Sequence, residues 1–162
     1  MSQTSEIERL VFLIRVVKKE LDNLQSTASR VFPSGSLLTE NTLQQWISDS
    51  EKSERLDAYS GRFGRLQDTL GDKFLPALLK LTQESVGPMI SNLDKAERYG
   101  WLPSADDWIA ARKLRNLLVH EYIEDFSILT DALNSTYKQT SMFVAVANNF
   151  IAVASEIIDS KK

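Results

Sequence analysis

Apolar residues recur at steps of three and four along most of the chain, and this spacing limits the fold more than any other feature. The longest regular run is Leu129, Leu133, Thr136, Thr140, Phe143, Ala147, Phe150, Ala154 and Ile157. Such spacing is typical of a helix with one buried face. Only six glycines and four prolines interrupt 162 residues, and no segment alternates in the manner of a strand. We therefore expect an all-α fold.

The pattern predicts an antiparallel bundle of about five helices, in which the first, second and last are long. Ser5 with Glu8 has the form of a capping box, so the first helix is expected to start near Ser5. The segment 32–36, which contains Pro33 and Gly35, is expected to end it. The second helix is expected to begin around Asn41 and to continue through Leu70.

Glycine and proline mark the later boundaries. Gly71 and Pro76 predict a kink or a break, because a proline inside a helix removes one backbone hydrogen bond. The pair 87–88 resembles a helix start with proline in the first turn, and Gly100 a left-handed stop. Ser104 is the expected N-cap of the following helix.

Length and composition predict one domain, residues 1–162, and restrict its function. The chain lacks cysteine, which excludes disulfides and thiolate metal sites. Its formal charge of −3 argues against a protein that coats nucleic acid, although a local basic site is compatible with it. The N-terminus lacks a signal peptide and no apolar run is long enough to span a bilayer, so we expect a cytoplasmic protein without membrane contact.

The octapeptide at 115–122, Arg-Asn-Leu-Leu-Val-His-Glu-Tyr, contains the only histidine of the chain. Histidine titrates nearest neutrality and arginine is well shaped to bind phosphate, so Arg115 and His120 point toward phosphodiester chemistry. Arg115 would stabilise the charge of a five-coordinate phosphorus and His120 would move a proton. Asn116 is expected to support them, by orienting His120 or by donating to a phosphate oxygen. Tyr122 is expected to contact base or phosphate.

Cleavage of RNA at its 2′-hydroxyl needs a base and an acid, whereas one chain supplies one histidine. A homodimer that brings two copies of this helix together would supply both without a metal. On an ideal helix Arg115 and His120 differ by roughly 140° in direction, so their convergence depends on the reach of the arginine and on distortion at the helix end.

The octapeptide resembles the Arg-polar-x-x-x-His motif of HEPN-domain ribonucleases, and more specifically the Arg-x4-His-x-Tyr form of HepT-like toxins. Arg115, Asn116, His120 and Tyr122 each match a motif position, and the resemblance covers about residues 40–160. It implies an all-α bundle, a homodimer with a composite cleft, and metal-independent RNA endonuclease activity. The first helix is longer than the compact toxins require.

The resemblance also implies a partner, a minimal nucleotidyltransferase antitoxin that transfers AMP units onto Tyr122. Added phosphates would place negative charge and bulk where the substrate phosphate must lie. The modification would therefore switch the site off.

Other interpretations of the same residues remain open. A histidine near a helix C-terminus often only stabilises the helix dipole, and Arg115 can equally pair with Asp107 or Glu121. Tyr122 can close the core with its ring and expose its hydroxyl. The carboxylates are scattered, so we predict no catalytic metal and no cofactor. The competing functions are a non-catalytic, nucleotide-binding subunit of a nucleotidyltransferase and a helical interaction module.

Overall fold

A computed structural model describes residues 2–120 and 123–162, except for the side chain of His120. These ranges are helical and contain no strand, which confirms the all-α prediction. The α-helices in them are α1 (Gln3–Val31), α2 (Glu40–Ile47), α3 (Ser50–Asp68), α4 (Leu75–Leu81), α5 (Met89–Arg98), α6 (Ala105–His120) and α7 (Phe126–Ser160). A 3₁₀ turn, Pro33–Gly35, follows α1, and a π-helical turn, Thr69–Phe74, joins α3 to α4.

Helices α1 and α3 pack side by side and run antiparallel. Near the end of α1, Thr27 accepts a hydrogen bond from Arg62 in α3. Seven residues earlier, Glu20 accepts a hydrogen bond from Thr69, at the far end of α3 (Oε1 to Oγ1, 2.7 Å). Residue numbers therefore fall along α1 as they rise along α3.

Helix α6 crosses α3 in the opposite direction on another side. Gly64 of α3 lies against Arg115, and Gly71 of the π turn lies against Trp108. Since higher numbers on α3 meet lower numbers on α6, these helices are also antiparallel. Both contacts occur at glycines, where the missing Cβ lets the helices approach closely.

Helix α7 runs parallel to α3 and completes the four-helix arrangement. Phe63 packs edge-on against Phe143, with ring centroids 5.3 Å apart, and Phe74 lies 5.9 Å from Phe150. Among the described residues, α7 is the one helix long and apolar enough to cross a membrane by length and composition, with 33% of its most apolar window buried. The prediction that no apolar run is long enough to span a bilayer is therefore wrong by length and composition. The same properties are typical of a helix that contributes one face to a core, as α7 does.

The predicted cap of α1 and the predicted unbroken second helix are wrong, whereas the predicted start of the second helix near Asn41 agrees with α2, which begins at Glu40. The hydroxyl of Ser2, not that of Ser5, caps α1 by accepting the N–H of Ser5 (3.3 Å). The predicted second helix is divided, because Asp49 caps a new helix by accepting the N–H of Lys52 (3.0 Å). The bundle accordingly has more helices than the five expected.

The interruption predicted at Gly71 and Pro76 takes the form of the π turn. The chain stays helical from Asp68 to Leu75, and Pro76 lies in the first turn of α4, where its missing N–H is tolerated. Three other boundaries are confirmed. Gly100 has a φ of 75° after α5, Pro88 precedes α5, and Ser104 caps α6 by accepting the N–H of Asp107 (3.1 Å).

Two asparagine side chains form hydrogen bonds that connect loops to the bundle. Asn134 of α7 accepts the N–H of Leu38 and donates to its carbonyl, both at 2.9 Å. Asn92 of α5 holds Gly87 in the same way, again at 2.9 Å for both bonds. Each amide satisfies one backbone donor and one acceptor, so each loop is anchored at a single residue.

Candidate functional site

Helix α6 carries Arg115 at the contact with α3, and the side chain is only 14% exposed. Its Nη2 donates to Oδ2 of Asp68 at 2.6 Å, a short charge-assisted contact. This described ion-pair partner lies on another helix, and the alternative partner Glu121 lies outside the described residues. The pair fixes the guanidinium relative to both helices.

Gly64 provides the space in which the Arg115 side chain lies. A Cβ at this position would be 3.2 Å from Nε and 3.3 Å from Cγ of Arg115, and 3.5 Å from Cγ2 of Val119. Gly61, one turn earlier in α3, would meet no atom within 4 Å. Gly64 is therefore a packing requirement of the site, whereas Gly61 is not.

Arg112 is a second arginine at the same carboxylate, and the sequence analysis did not single it out. Its Nη1 lies 3.7 Å from Oδ1 of Asp68, and the side chain is 33% exposed. Nη1 of Arg112 and Oδ1 of Asp68 are both buried, and neither has a hydrogen bond within residues 2–120 and 123–162. Its position three residues before Arg115, on the same face of α6, is the signal that would have identified it.

The described side-chain hydrogen bond of Asn116 is with Arg115. Its Oδ1 accepts a hydrogen bond from Nη1 of Arg115 at 2.9 Å, and the residue is exposed. The bond gives Asn116 a supporting role toward the arginine. Its predicted action on His120 stays a prediction.

His120 is the last residue of α6, and its side chain lies outside the described part of the chain, as do Glu121 and Tyr122. The helix is continuous from Arg115 to His120, so the five-residue step between their backbones is helical. Whether the imidazole and the guanidinium converge stays a prediction. The roles predicted for Tyr122 also stay predictions.

Glu20 extends the polar cluster to α1. Its Oε1 accepts the Thr69 hydroxyl, and Oε2 is buried without a hydrogen bond among the described residues. Burial raises the pKa of this carboxyl above 4.5, opposed by the hydrogen bond from Thr69 and by the charges of Arg65 and Lys73. The polar contacts of Asp68 and its neighbour Thr69 thus join three helices.

A groove of about 630 Å³, lined by apolar and polar side chains, lies where α2, α3 and α7 meet the end of α6. Its lining residues are Ile47, Ser53, Asp57, Leu118, Ile123, Glu124, Phe126 and Leu129. Ile47 remains 42% exposed at this groove. The groove therefore places unburied apolar surface close to the motif.

Among the described residues, no group of three or more Asp, Glu, Cys or His side chains lies close enough together to hold a metal ion. The cluster at the contact between α3 and α6 consists of Asp68, Arg112 and Arg115. Its arginines and single aspartate suit the binding of an anion. The prediction of a metal-free reaction remains a prediction.

Comparison of the chain with protein-family models, with curated proteins and with solved structures finds no match in any of the three. The likeness to HEPN ribonucleases therefore depends on the residues from Arg115 to Tyr122.

Proposed function

We propose that this protein is a cytoplasmic, metal-independent RNA endonuclease of the HEPN type, the toxin of a toxin–antitoxin pair. The observation that carries the proposal is the fixed position of Arg115, held by Asp68 and Asn116 on the helix that ends at His120. An arginine whose orientation is set before substrate binds loses little entropy on meeting a phosphate.

The proposed reaction uses two histidines from two copies of the chain. One His120 accepts the proton of the 2′-hydroxyl while the bond from O2′ to phosphorus forms. The other donates a proton to O5′ as its bond to phosphorus breaks, and Arg115 stabilises the negative charge on the phosphoryl oxygens. The products are a 2′,3′-cyclic phosphate and a 5′-hydroxyl.

A homodimer is required by this scheme, and the exposed apolar side chains of the groove beside the motif support it. Exposed apolar surface rimmed by polar residues is typical of a protein interface. The groove adjoins Leu118, between Arg115 and His120, so a second copy seated there would bring the two motifs near each other.

Cleavage of single-stranded RNA in the presence of EDTA tests the activity. The wild type is expected to release fragments that end in a cyclic phosphate, and Arg115→Ala and His120→Ala are expected to lose at least 100-fold in rate. Lys113→Ala, at an exposed position of the same helix, is the matched control and should cut normally. Intact RNA with the wild type, or normal cutting by both site variants, would contradict the proposal.

A mixed dimer tests the two-histidine scheme separately. Differently tagged wild-type and His120→Ala chains are co-expressed, and the heterodimer is purified. Shared use of both histidines predicts a heterodimer nearly as inactive as the variant homodimer. Retention of about half of the wild-type rate would show that each chain acts alone.

The proposed antitoxin is a minimal nucleotidyltransferase that modifies Tyr122. Incubation with such an enzyme and ATP should add AMP to the wild type, detected by mass spectrometry, and should abolish RNA cleavage. Tyr122→Phe should accept no AMP and should resist inhibition. Modification of another residue, or inhibition of Tyr122→Phe, would contradict this part of the proposal.

A further inference from the structure

Asp68 is shared by two arginines at the contact between α3 and α6. Arg115 donates to one carboxylate oxygen at 2.6 Å, whereas Arg112 lies 3.7 Å from the other. One carboxylate can neutralise only one guanidinium. Of the two arginines, Arg112 is therefore the one that Asp68 neutralises less.

Arg112 is the less engaged of the two in its described contacts. Its ion pair with Asp68 is long, its buried Nη1 has no hydrogen bond within the described ranges, and a third of the side chain is exposed. A guanidinium presents five donors, which suit the bidentate binding of a phosphate. Arg112 thus has the chemistry and the access to bind a phosphate from solvent.

The spacing of the two arginines relates the anion to the proposed substrate. Residues three apart lie on the same helix face, separated by about 4.5 Å along the axis. A nucleic acid strand whose reacting phosphate lies at Arg115 carries another phosphate one nucleotide away. A long side chain one turn along the helix is suitably placed to reach it.

We propose that Arg112 binds the phosphate adjacent to the scissile phosphate of single-stranded RNA. The inference rests on the proposed ribonuclease function, and it assigns to the site a residue outside the Arg-x4-His-x-Tyr pattern. Asp68 orients both arginines from the protein side, and the RNA backbone is their ligand on the open side.

RNA binding is measured with a fluorescent single-stranded oligonucleotide that is 2′-O-methylated throughout, and therefore lacks the attacking hydroxyl. Arg112→Gln is expected to bind more weakly and to lower the slope of log affinity against log salt by about 0.7, the value for one phosphate contact on a single strand. Lys113→Gln, the exposed neighbour, should change the slope much less. Equal slopes for Arg112→Gln and the wild type would overturn the inference.

A second measurement avoids any dependence on the folding of the variant. In wild-type protein labelled with ¹⁵N, titration with the same oligonucleotide should shift the Nε–H signal of Arg112, and that of Arg30 at the exposed end of α1 should stay fixed. A signal of Arg112 that stays fixed while that of Arg115 moves would overturn the assignment.

These tests separate the inference from the function on which it rests. Weaker, less salt-dependent binding by Arg112→Gln, with no cleavage of ordinary RNA by the wild type, would support the phosphate contact and refute the ribonuclease. Cleavage of RNA by the wild type, together with unchanged RNA binding by Arg112→Gln, would support the ribonuclease and refute the phosphate contact. Failure of the wild type to bind the oligonucleotide at 50 mM salt would overturn the phosphate contact.

Discussion

Helix α3 has two contrasting contacts, an aromatic one with α7 and a charged one with α6. Toward α7 it presents Tyr59 and Phe63, both at most 1% exposed. Toward α6 it presents Gly64 and Asp68, where the helices approach closely around a partly buried ion pair. Burial of apolar surface stabilises a fold directly, whereas burial of charge recovers little more than its desolvation cost. The comparison indicates that the aromatic contact with α7 contributes more to stability than the charged contact with α6.

The largest expected effect comes from the aromatic contact. Phe143 is 1% exposed, and its ring meets Phe63 at 5.3 Å and Trp108 at 5.0 Å. Phe143→Ala is expected to lower the free energy of unfolding by about 3–5 kcal/mol, measured in urea. Phe12→Ala, at a position 45% exposed, is the control and should stay within about 0.5 kcal/mol. A loss below about 1 kcal/mol for Phe143→Ala would contradict the assignment of stability to this contact.

The charged contact is expected to contribute less to stability. Asp68→Ala leaves two partly buried arginines without their carboxylate, and should cost about 1–2 kcal/mol because a third of each of Asp68 and Arg112 is in water. Glu54→Ala, at an exposed position of α3, should be nearly neutral. Equal losses for Asp68→Ala and Phe143→Ala would remove the distinction between the two contacts.

Two glycines of α3 provide a matched pair for the closeness of α6. Gly61→Ala should stabilise the protein by about 0.5–1 kcal/mol, since alanine favours helix and its Cβ meets no atom within 4 Å. Gly64→Ala should lose this gain and reduce RNA cleavage, because the new methyl group displaces Arg115. Thermal unfolding and the cleavage assay measure the two effects. Identical stabilisation by both substitutions would show that α6 tolerates the added methyl group.

The smallest expected effect concerns the pH dependence of stability at Glu20. Burial raises the pKa of this carboxyl in the folded state above 4.5, so the native protein holds the proton more tightly than the unfolded chain. Its contribution to stability is therefore complete below about pH 4.5 and is lost as pH rises through the raised pKa. Glu20→Gln should match the wild type in acid and exceed it at neutral pH, in urea unfolding at several pH values. Glu8→Gln, at an exposed position of α1, is the control. A stability difference that does not vary with pH would contradict this origin.

Local patterns predicted the helices and several of their ends, but not the contacts between helices. Apolar spacing and the Ser104 cap are encoded within a few residues, and both were found. Asp68 and Arg115 are 47 residues apart, and no local spacing relates them. Gly64 offered a weak signal, since a glycine inside a helix often marks close packing. The division at Asp49 had a local signal that was not used, since residues 48–55 contain no apolar side chain and interrupt the spacing between Ile47 and Leu56.

Only the part of the candidate site that is local in sequence could be predicted. The motif identified Arg115 and Asn116, which the structure brings together. Arg112 and Asp68 became visible only when α3 and α6 were placed side by side. The predictions that concern the side chain of His120 and the position of Tyr122 stay as they were, since both lie outside the described residues.

The π turn at Thr69–Phe74 contains one residue more than a regular α-helical turn, within the long helical segment that ends with α4. Each residue in a helix changes the direction of all later side chains by about 100°. Loss of a single residue in this turn would therefore rotate Leu78 and Leu79 away from the core that they now fill. The number of residues in this segment consequently sets which side of α4 faces the core, while Asp68, which precedes the turn, would stay opposite α6.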